Sequence, residues 1–260
     1  MRSDDAVALA TRTEGGPRRP DPEDGRPGWT TPPRFSFSNR SVDIDGQLIR
    51  YVDQGEGPPL LFVDAFVDPG TGSILWRDVI VRLRDRFRCV ALDVPSASPA
   101  LATEGERLDI GAPSRILESF VRTLDLKDLT LVLHDLGGPV ALGITLREHD
   151  RIQALVVTES FGWPLVPGRF RELRDAALTG DDLREVDRTI RTVLNDRPVL
   201  LVFGQESPMV KAGFPERWRE RFPDAGLLLV EGSHRFPMAD APDLVARAIK
   251  GWWREEVFAA

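Results

Sequence analysis

The 260-residue sequence is poor in cysteine: it contains one residue of this type, Cys89. A single cysteine excludes an intramolecular disulfide and leaves no cysteine pair for a metal site. Cys89 lies in the apolar run "FRCVALDV", where we expect it to pack as a small hydrophobic side chain. No metal-ligand cluster and no nucleotide-binding motif stands in the sequence, so we predict no cofactor.

Long apolar runs and an excess of positive charge are also missing. No segment approaches the ~20 apolar residues that a membrane-spanning helix needs, and "AVALA" is too short for a signal-peptide core. With 34 Lys and Arg against 41 Asp and Glu, the net charge of −7 offers no basic surface for nucleic acid. We therefore predict a cytoplasmic protein that binds neither membranes nor nucleic acids. The oligomeric state is not specified by any feature of the sequence.

Residues 1–34 differ from the rest of the chain in composition. They contain "TEGGPRRPDPEDGRPGWTTPPR", which is dense in proline, glycine and charge. Such a segment buries too little apolar surface to offset the entropy lost on ordering. We predict a disordered arm over 1–34, followed by one domain over 35–260, because the chain is too short for two large domains.

The remaining sequence predicts a doubly wound, mostly parallel α/β sheet with a leading antiparallel hairpin. "FSFSNRSVDID" and "QLIRYVDQG" alternate in polarity around the turn signal Asp45-Gly46, which is typical of a hairpin. Short apolar runs of the kind that parallel strands form then follow, separated mostly by segments with helical periodicity. The runs are "PLLFVDA", "FRCVALDV", "LTLVLHD", "IQALVVTES", "PVLLVFG" and "GLLLVEGS". A charged insertion of helical pattern, residues 165–197, predicts a small lid.

Ionisable side chains follow three of the predicted strands. Asp135 precedes Gly137 and Gly138, Glu159 ends the next strand, and His234 follows the last one. Ligands bind at the carboxyl ends of parallel strands, and a nucleophilic acid, an orienting acid and a base in this order form a catalytic triad. Taken singly, Asp135 could be a helix cap, and the other two could be ordinary strand-end and loop residues. Their joint occurrence favours catalysis.

The segment "HDLGGP" resembles the nucleophile elbow of the haloalkane dehalogenases and related epoxide hydrolases, in which Asp replaces the usual Ser. The resemblance runs from about Phe35 to Trp253 and includes "VDIDGQLIRYVDQGEGPPLLF", "FGWP" and "HRFPMADAPDLVARAI". It implies an α/β-hydrolase domain over 35–260 with a shortened cap at 165–197. It also implies a small apolar substrate whose carbon atom is attacked by an aspartate.

The same resemblance assigns roles to individual residues. Asp135 attacks an sp³ carbon to form an ester, His234 activates the water that hydrolyses the ester, and Glu159 holds the imidazole. Glu206, in "FGQESPMV", is the alternative acid. A carboxylate with a pKa near ~3.9 is ionised at neutral pH and needs no base, whereas a histidine with a pKa near ~6.5 suits the water step. The backbone amides of Leu136, Ala65 and Phe66 are expected to form the oxyanion hole.

Several positions depart from the family's pattern. Asp64-Ala65 stands where relatives carry His-Gly, and Leu136 replaces a tryptophan whose indole holds the departing halide. Arg235 separates His234 from the aromatic residue that usually follows the histidine directly. One tyrosine, Tyr51, and the absence of a "GxSxG" elbow count against an epoxide hydrolase and a serine esterase. A second hypothesis therefore stands beside the hydrolase: a weakened or inactive α/β-hydrolase fold protein with a binding role.

Overall fold

The structure is a computed structural model that describes most of the chain: residues 37, 39–64, 72–93, 111–135, 137–161, 188 and 190–259. The arm predicted over 1–34 and most of the insertion predicted over 165–197 lie outside these residues. The oxyanion-hole residues Ala65, Phe66 and Leu136 lie outside them too.

The described residues form one eight-stranded sheet in the order β1-β2-β4-β3-β5-β6-β7-β8. The strands are β1 (Asn39–Ile44), β2 (Gln47–Gln54), β3 (Pro59–Val63), β4 (Arg88–Asp93), β5 (Leu129–Asp135), β6 (Ile152–Ser160), β7 (Val199–Gly204) and β8 (Gly226–Val230). The pairs β1–β2 and β2–β4 are antiparallel, and all other neighbours are parallel. Asp45 and Gly46 have φ angles of 52° and 81°, as a type I′ hairpin turn requires. The predicted leading hairpin is confirmed.

Helices cover both faces of the sheet. They are α1 (Gly72–Leu75), α2 (Arg77–Leu83), α3 (Gly111–Thr123), α4 (Gly137–Glu148), α5 (Pro208–Lys211), α6 (Phe214–Arg221), α7 (Pro237–Asp240) and α8 (Pro242–Trp252). A 3₁₀ turn, His149–Arg151, follows α4, and a π-helical turn, Trp253–Val257, follows α8. Among the described helices, none is long and apolar enough to cross a membrane.

Two hydrophobic clusters hold the helices against the sheet. One cluster joins α3, α4 and α6 to one face, and the other joins α2 and α8 to the opposite face. Along β5, Leu131 and Leu133 belong to the first cluster and Val132 to the second, because successive strand side chains point to opposite faces. The predicted doubly wound α/β fold is confirmed. Ile190 and Leu194, near the end of the predicted insertion, are buried in the first cluster.

Cys89 is fully buried in the second cluster, as the sequence predicts. Burial raises the pKa of its thiol well above the usual value, so the side chain stays protonated and unreactive.

The carboxyl ends of β3, β5, β6, β7 and β8 lie along one edge of the sheet, because these strands are parallel. The predicted site residues Asp135 and Glu159 lie at this edge. The loop that carries His234 follows β8 there.

Candidate active site

Asp135 occupies a strained, closely packed turn between β5 and α4. It is the last residue of β5, its φ angle is 47°, and its side chain is buried. A left-handed φ at a residue other than glycine costs roughly 1–3 kcal/mol and persists only where the surroundings enforce it. Such strain is typical of a nucleophile elbow, which lifts its side chain above the sheet edge.

The glycines after Asp135 allow the elbow to pack against its neighbours. A Cβ atom on Gly137 would lie 2.1 Å from the carbonyl oxygen of Val63, at the end of β3. A Cβ atom on Gly138 would lie 2.3 Å from the carbonyl oxygen of Phe161, just after β6. These distances are far below van der Waals contact, so both positions require glycine.

The carboxylate of Asp135 is paired with Arg235, a contact that sequence reasoning missed. The Arg235 guanidinium donates through Nη2 to Asp135 Oδ2 at 2.7 Å. The Arg235 side chain is 38% exposed, whereas that of Asp135 is 11% exposed. The sequence signal was present, because Arg235 is the residue that separates His234 from Phe236. The additional residue places a cation on the candidate nucleophile.

His234 lies beside the alternative acid, Glu206. Its Nε2 atom is 3.3 Å from Glu206 Oε2, and the two side chains are 49% and 55% exposed. Of the two acids that the sequence offers, this contact favours Glu206 as the partner of the histidine. A half-exposed ring is also more strongly solvated than a base buried beside its nucleophile.

Glu159 is held by the end of β7 and the turn after it. Its Oε1 atom accepts a hydrogen bond from the Gly204 amide at 2.7 Å, and its Oε2 atom accepts one from the Ser207 hydroxyl at 2.5 Å. Burial raises the pKa of Glu159 to about 7, although the two hydrogen bonds act in the opposite direction. Ser207 is therefore a hydrogen-bond donor to the acid on the neighbouring strand.

A buried His134–Asp64 pair underlies the site and was not predicted. His134 Nδ1 lies 2.7 Å from Asp64 Oδ1, and Nε2 lies 3.1 Å from the carbonyl oxygen of Arg235. Both partners are acceptors, so the ring satisfies both only when it is doubly protonated. Burial opposes that charge, but the hydrogen bond and negative charge of Asp64, with Asp135 nearby, raise the pKa of His134 above its usual value.

The His134–Asp64 pair helps to position the loop that carries His234, the candidate base, and Arg235, the cation beside Asp135. His134 precedes Asp135 on β5, and its bond to the Arg235 carbonyl ties the loop after β8 to the elbow. The His134 ring also lies 5.7 Å from the Phe236 ring, centroid to centroid. Within the described residues, no group of three or more His, Cys, Asp or Glu side chains could hold a metal ion.

Comparisons with known proteins agree with the fold. The model of the alpha/beta hydrolase fold family matches residues 58–196. Haloalkane dehalogenase 2 of Mycobacterium tuberculosis is 35% identical over 133 residues, which cover 51% of this chain and 46% of that protein. A cis-3-alkyl-4-alkyloxetan-2-one decarboxylase of Xanthomonas campestris is 29% identical over 153 residues, covering 53% and 48%. This chain thus spans about half the length of the curated relatives it matches.

Among solved structures, the haloalkane dehalogenase DbeA from Bradyrhizobium elkani superposes with a TM-score of 0.69 at 15% identity. The superposition covers 86% of this chain and 99% of that one. A likeness at this level of identity concerns the fold.

Proposed function

Because the chain belongs to the α/β-hydrolase fold family, we propose that it is a haloalkane-dehalogenase-like hydrolase with Asp135 as its nucleophile. The observation that carries this proposal is the elbow itself. A buried aspartate with φ of 47° ends the central strand β5 directly before a glycine-lined helix start. A helix cap alone does not require a left-handed residue, since cap residues normally have β-region dihedral angles.

The proposed reaction has two steps. In the first, a carboxylate oxygen of Asp135 attacks the carbon that bears the halogen, and the halide leaves with the electron pair of the broken bond. In the second, water attacks the carbonyl carbon of the resulting ester, the alcohol leaves, and Asp135 is regenerated. The proton of that water passes to His234 and then to solvent.

The remaining machinery belongs to the proposal as well. The contact between His234 and Glu206 supports Glu206 over Glu159 as the acid that orients the histidine. The amides of Leu136, Ala65 and Phe66 would stabilise the oxyanion of the second step. An aligned donor of this kind contributes about 2.7–4 kcal/mol to the stabilisation of a transition state.

Intact-mass measurement with 1-bromobutane tests the nucleophile directly. We expect repeated bromide release, with at most one butyl adduct per chain visible in rapidly acid-quenched samples, and we expect Asp135→Asn to abolish both, because an amide oxygen is a far weaker nucleophile. Asp150→Asn is the matched control, since that carboxylate is 91% exposed and lies outside the site. If a folded sample gives no adduct and no halide across a panel of short bromoalkanes, the proposal is wrong.

Two contacts favour the second candidate function, a weakened or inactive hydrolase fold with a binding role. Arg235 occupies one oxygen of the nucleophile, and His234 is half-exposed beside Glu206. The bromide count separates the two candidates. Turnover well beyond one equivalent supports the hydrolase, whereas one equivalent with a lasting adduct means that the water step is impaired. Bound 1-bromobutane with neither an adduct nor bromide release supports the binding role.

A further inference from the structure

The guanidinium of Arg235 is the part of the site that the proposed reaction does not use. It contacts the buried Asp135 from the more exposed side, and it lies 5.9 Å from the centroid of the Phe236 ring. Its backbone carbonyl accepts a hydrogen bond from the buried His134. The position of Arg235 is therefore set from both ends, by its side chain and by its main chain.

The opposite charges of Arg235 and Asp135 affect which substrates the site accepts. A guanidinium has five N–H donors in a planar fork, and the bond to Asp135 uses one of them. For a neutral haloalkane, the ion pair only withdraws electron density from the nucleophile. For an anionic substrate, Arg235 cancels the repulsion from Asp135, and its remaining donors match a second carboxylate in geometry.

We propose that Arg235 makes the site selective for 2-haloalkanoates, small acids whose halogen is on the carbon next to the carboxylate. This inference rests on the proposed function of Asp135. Because Arg235 Nη2 lies 2.7 Å from Asp135 Oδ2, a group held by the guanidinium lies close to the carbon that Asp135 attacks. A 2-haloalkanoate has this spacing, and its carboxylate is the anion for which a guanidinium fork is best suited.

The reaction follows the two steps above with one addition. Arg235 binds the substrate carboxylate while Asp135 Oδ1, the oxygen opposite the one that accepts from Arg235, attacks C2. The bond between C2 and the halogen breaks, and the halide leaves with the electron pair. Hydrolysis of the ester gives a 2-hydroxyalkanoate, and the proton of the attacking water is released to solvent.

The test compares 2-bromopropionate with 2-bromopropionamide, a neutral probe of nearly the same size and shape. Rates of adduct formation on Asp135 are measured by intact mass and peptide mapping for the wild type, Arg235→Gln and Arg235→Lys. Arg254→Gln is the control, since that arginine is exposed on the turn after α8. Circular dichroism verifies that each variant is folded.

We expect the wild type to form the adduct faster with 2-bromopropionate than with the amide. In R235Q the ratio of these two rates should fall by about 10- to 100-fold, the loss typical of a charge-assisted hydrogen bond. R235K should retain part of the preference, because lysine keeps the charge without the fork, and R254Q should match the wild type. If R235Q slows or accelerates both probes equally, Arg235 acts on the leaving group or masks the nucleophile, and the inference is wrong.

Failure of the inference can be told apart from failure of the proposed function. Adducts from 1-bromobutane and the amide but not from 2-bromopropionate would reject the inference and retain the nucleophile. A separate measurement follows lactate binding by ligand-observed NMR, with lactamide as the neutral control. Lactate binding that R235Q abolishes, with neither an adduct nor bromide release from any probe, would retain the anion site and reject Asp135 as a nucleophile.

Discussion

At the scale of single residues, the buried acid Glu159 makes the stability of the fold depend on pH. Burial raises its pKa to about 7 in the folded state, against 4.5 for an ordinary glutamate. The folded protein therefore holds this proton more tightly than the unfolded chain does. The resulting stabilisation is fully present below pH 4.5 and is lost as the pH rises to about 7.

Glu159→Gln should remove this dependence. The amide oxygen can still accept from Gly204, and the amide nitrogen can donate to the Ser207 hydroxyl, so the shape of the site is kept. We expect the free energy of unfolding of E159Q to exceed that of the wild type above pH 7, by about 1.4 kcal/mol for each unit between the two pKa values. Urea unfolding at pH 5 and pH 8 measures this difference.

The matched control for E159Q is Glu220→Gln, an exposed glutamate near the end of α6. This variant should follow the wild type at both pH values, since its carboxylate is solvated in the folded and unfolded states alike. An E159Q curve parallel to the wild type between pH 5 and pH 8 would contradict the assignment of a raised pKa to Glu159.

At the scale of secondary-structure elements, the elbow depends on how closely α4 approaches β3. Gly137→Ala places a methyl group 2.1 Å from the Val63 carbonyl oxygen, so the helix must shift or the strand must distort. We expect a loss of about 1–3 kcal/mol in the free energy of unfolding, the usual cost of overpacking. Adduct formation on Asp135 should fall as well, because the helix start fixes the elbow.

Gly251→Ala serves as the comparison for Gly137→Ala. Gly251 lies in α8, and a Cβ atom there would meet nothing within 4 Å. Alanine favours a helix over glycine, so this variant should be more stable than the wild type by about 0.5–1 kcal/mol. Equal effects of the two substitutions on thermal unfolding would mean that the close approach of α4 to β3 is unimportant.

The elements themselves could be predicted where their boundaries have a local cause. β5 and β6 end where predicted, because continuous apolar runs define them. Apolar spacing of helical period continues through "PSRILESFVRTLDL", residues 113–126, but α3 ends at Thr123, and Asp125 then turns with a φ of 43°. Leu126 is nevertheless buried in the core. Apolar periodicity therefore continued past the helix, since it records burial and not backbone conformation.

At the scale of the whole molecule, the sequence could place the site at one sheet edge but could not pair its side chains. Parallel strands bring Asp135 and Glu159 to that edge by topology alone. Whether His234 or Arg235 faces Asp135 depends on the path of one loop, which no periodicity records. The His134–Asp64 pair could not be predicted either, since it depends on the register of β3 against β5, in which Val63 lies opposite Leu133.

A truncation experiment tests the predicted division of the chain into an arm, 1–34, and a domain, 35–260. Phe37 is partly buried and packs against the second hydrophobic cluster, and β1 begins two residues later. A chain that begins at residue 35 keeps this contact, so its free energy of unfolding should stay within about 0.5 kcal/mol of the full chain. The dependence of that free energy on urea should not change if the arm is disordered, as its composition predicts, because such an arm adds no surface that unfolding exposes.

A chain that begins at residue 39 provides the comparison for this truncation. It lacks Phe37, and we expect it to be less stable by about 1–2 kcal/mol, since a fully buried phenylalanine contributes roughly 1.5–3 kcal/mol. The two truncations differ by four residues, so a gap between their unfolding midpoints locates the domain boundary between residues 34 and 39. A large loss of stability on removal of residues 1–34 alone would instead mean that the arm packs on the domain, contrary to the composition argument.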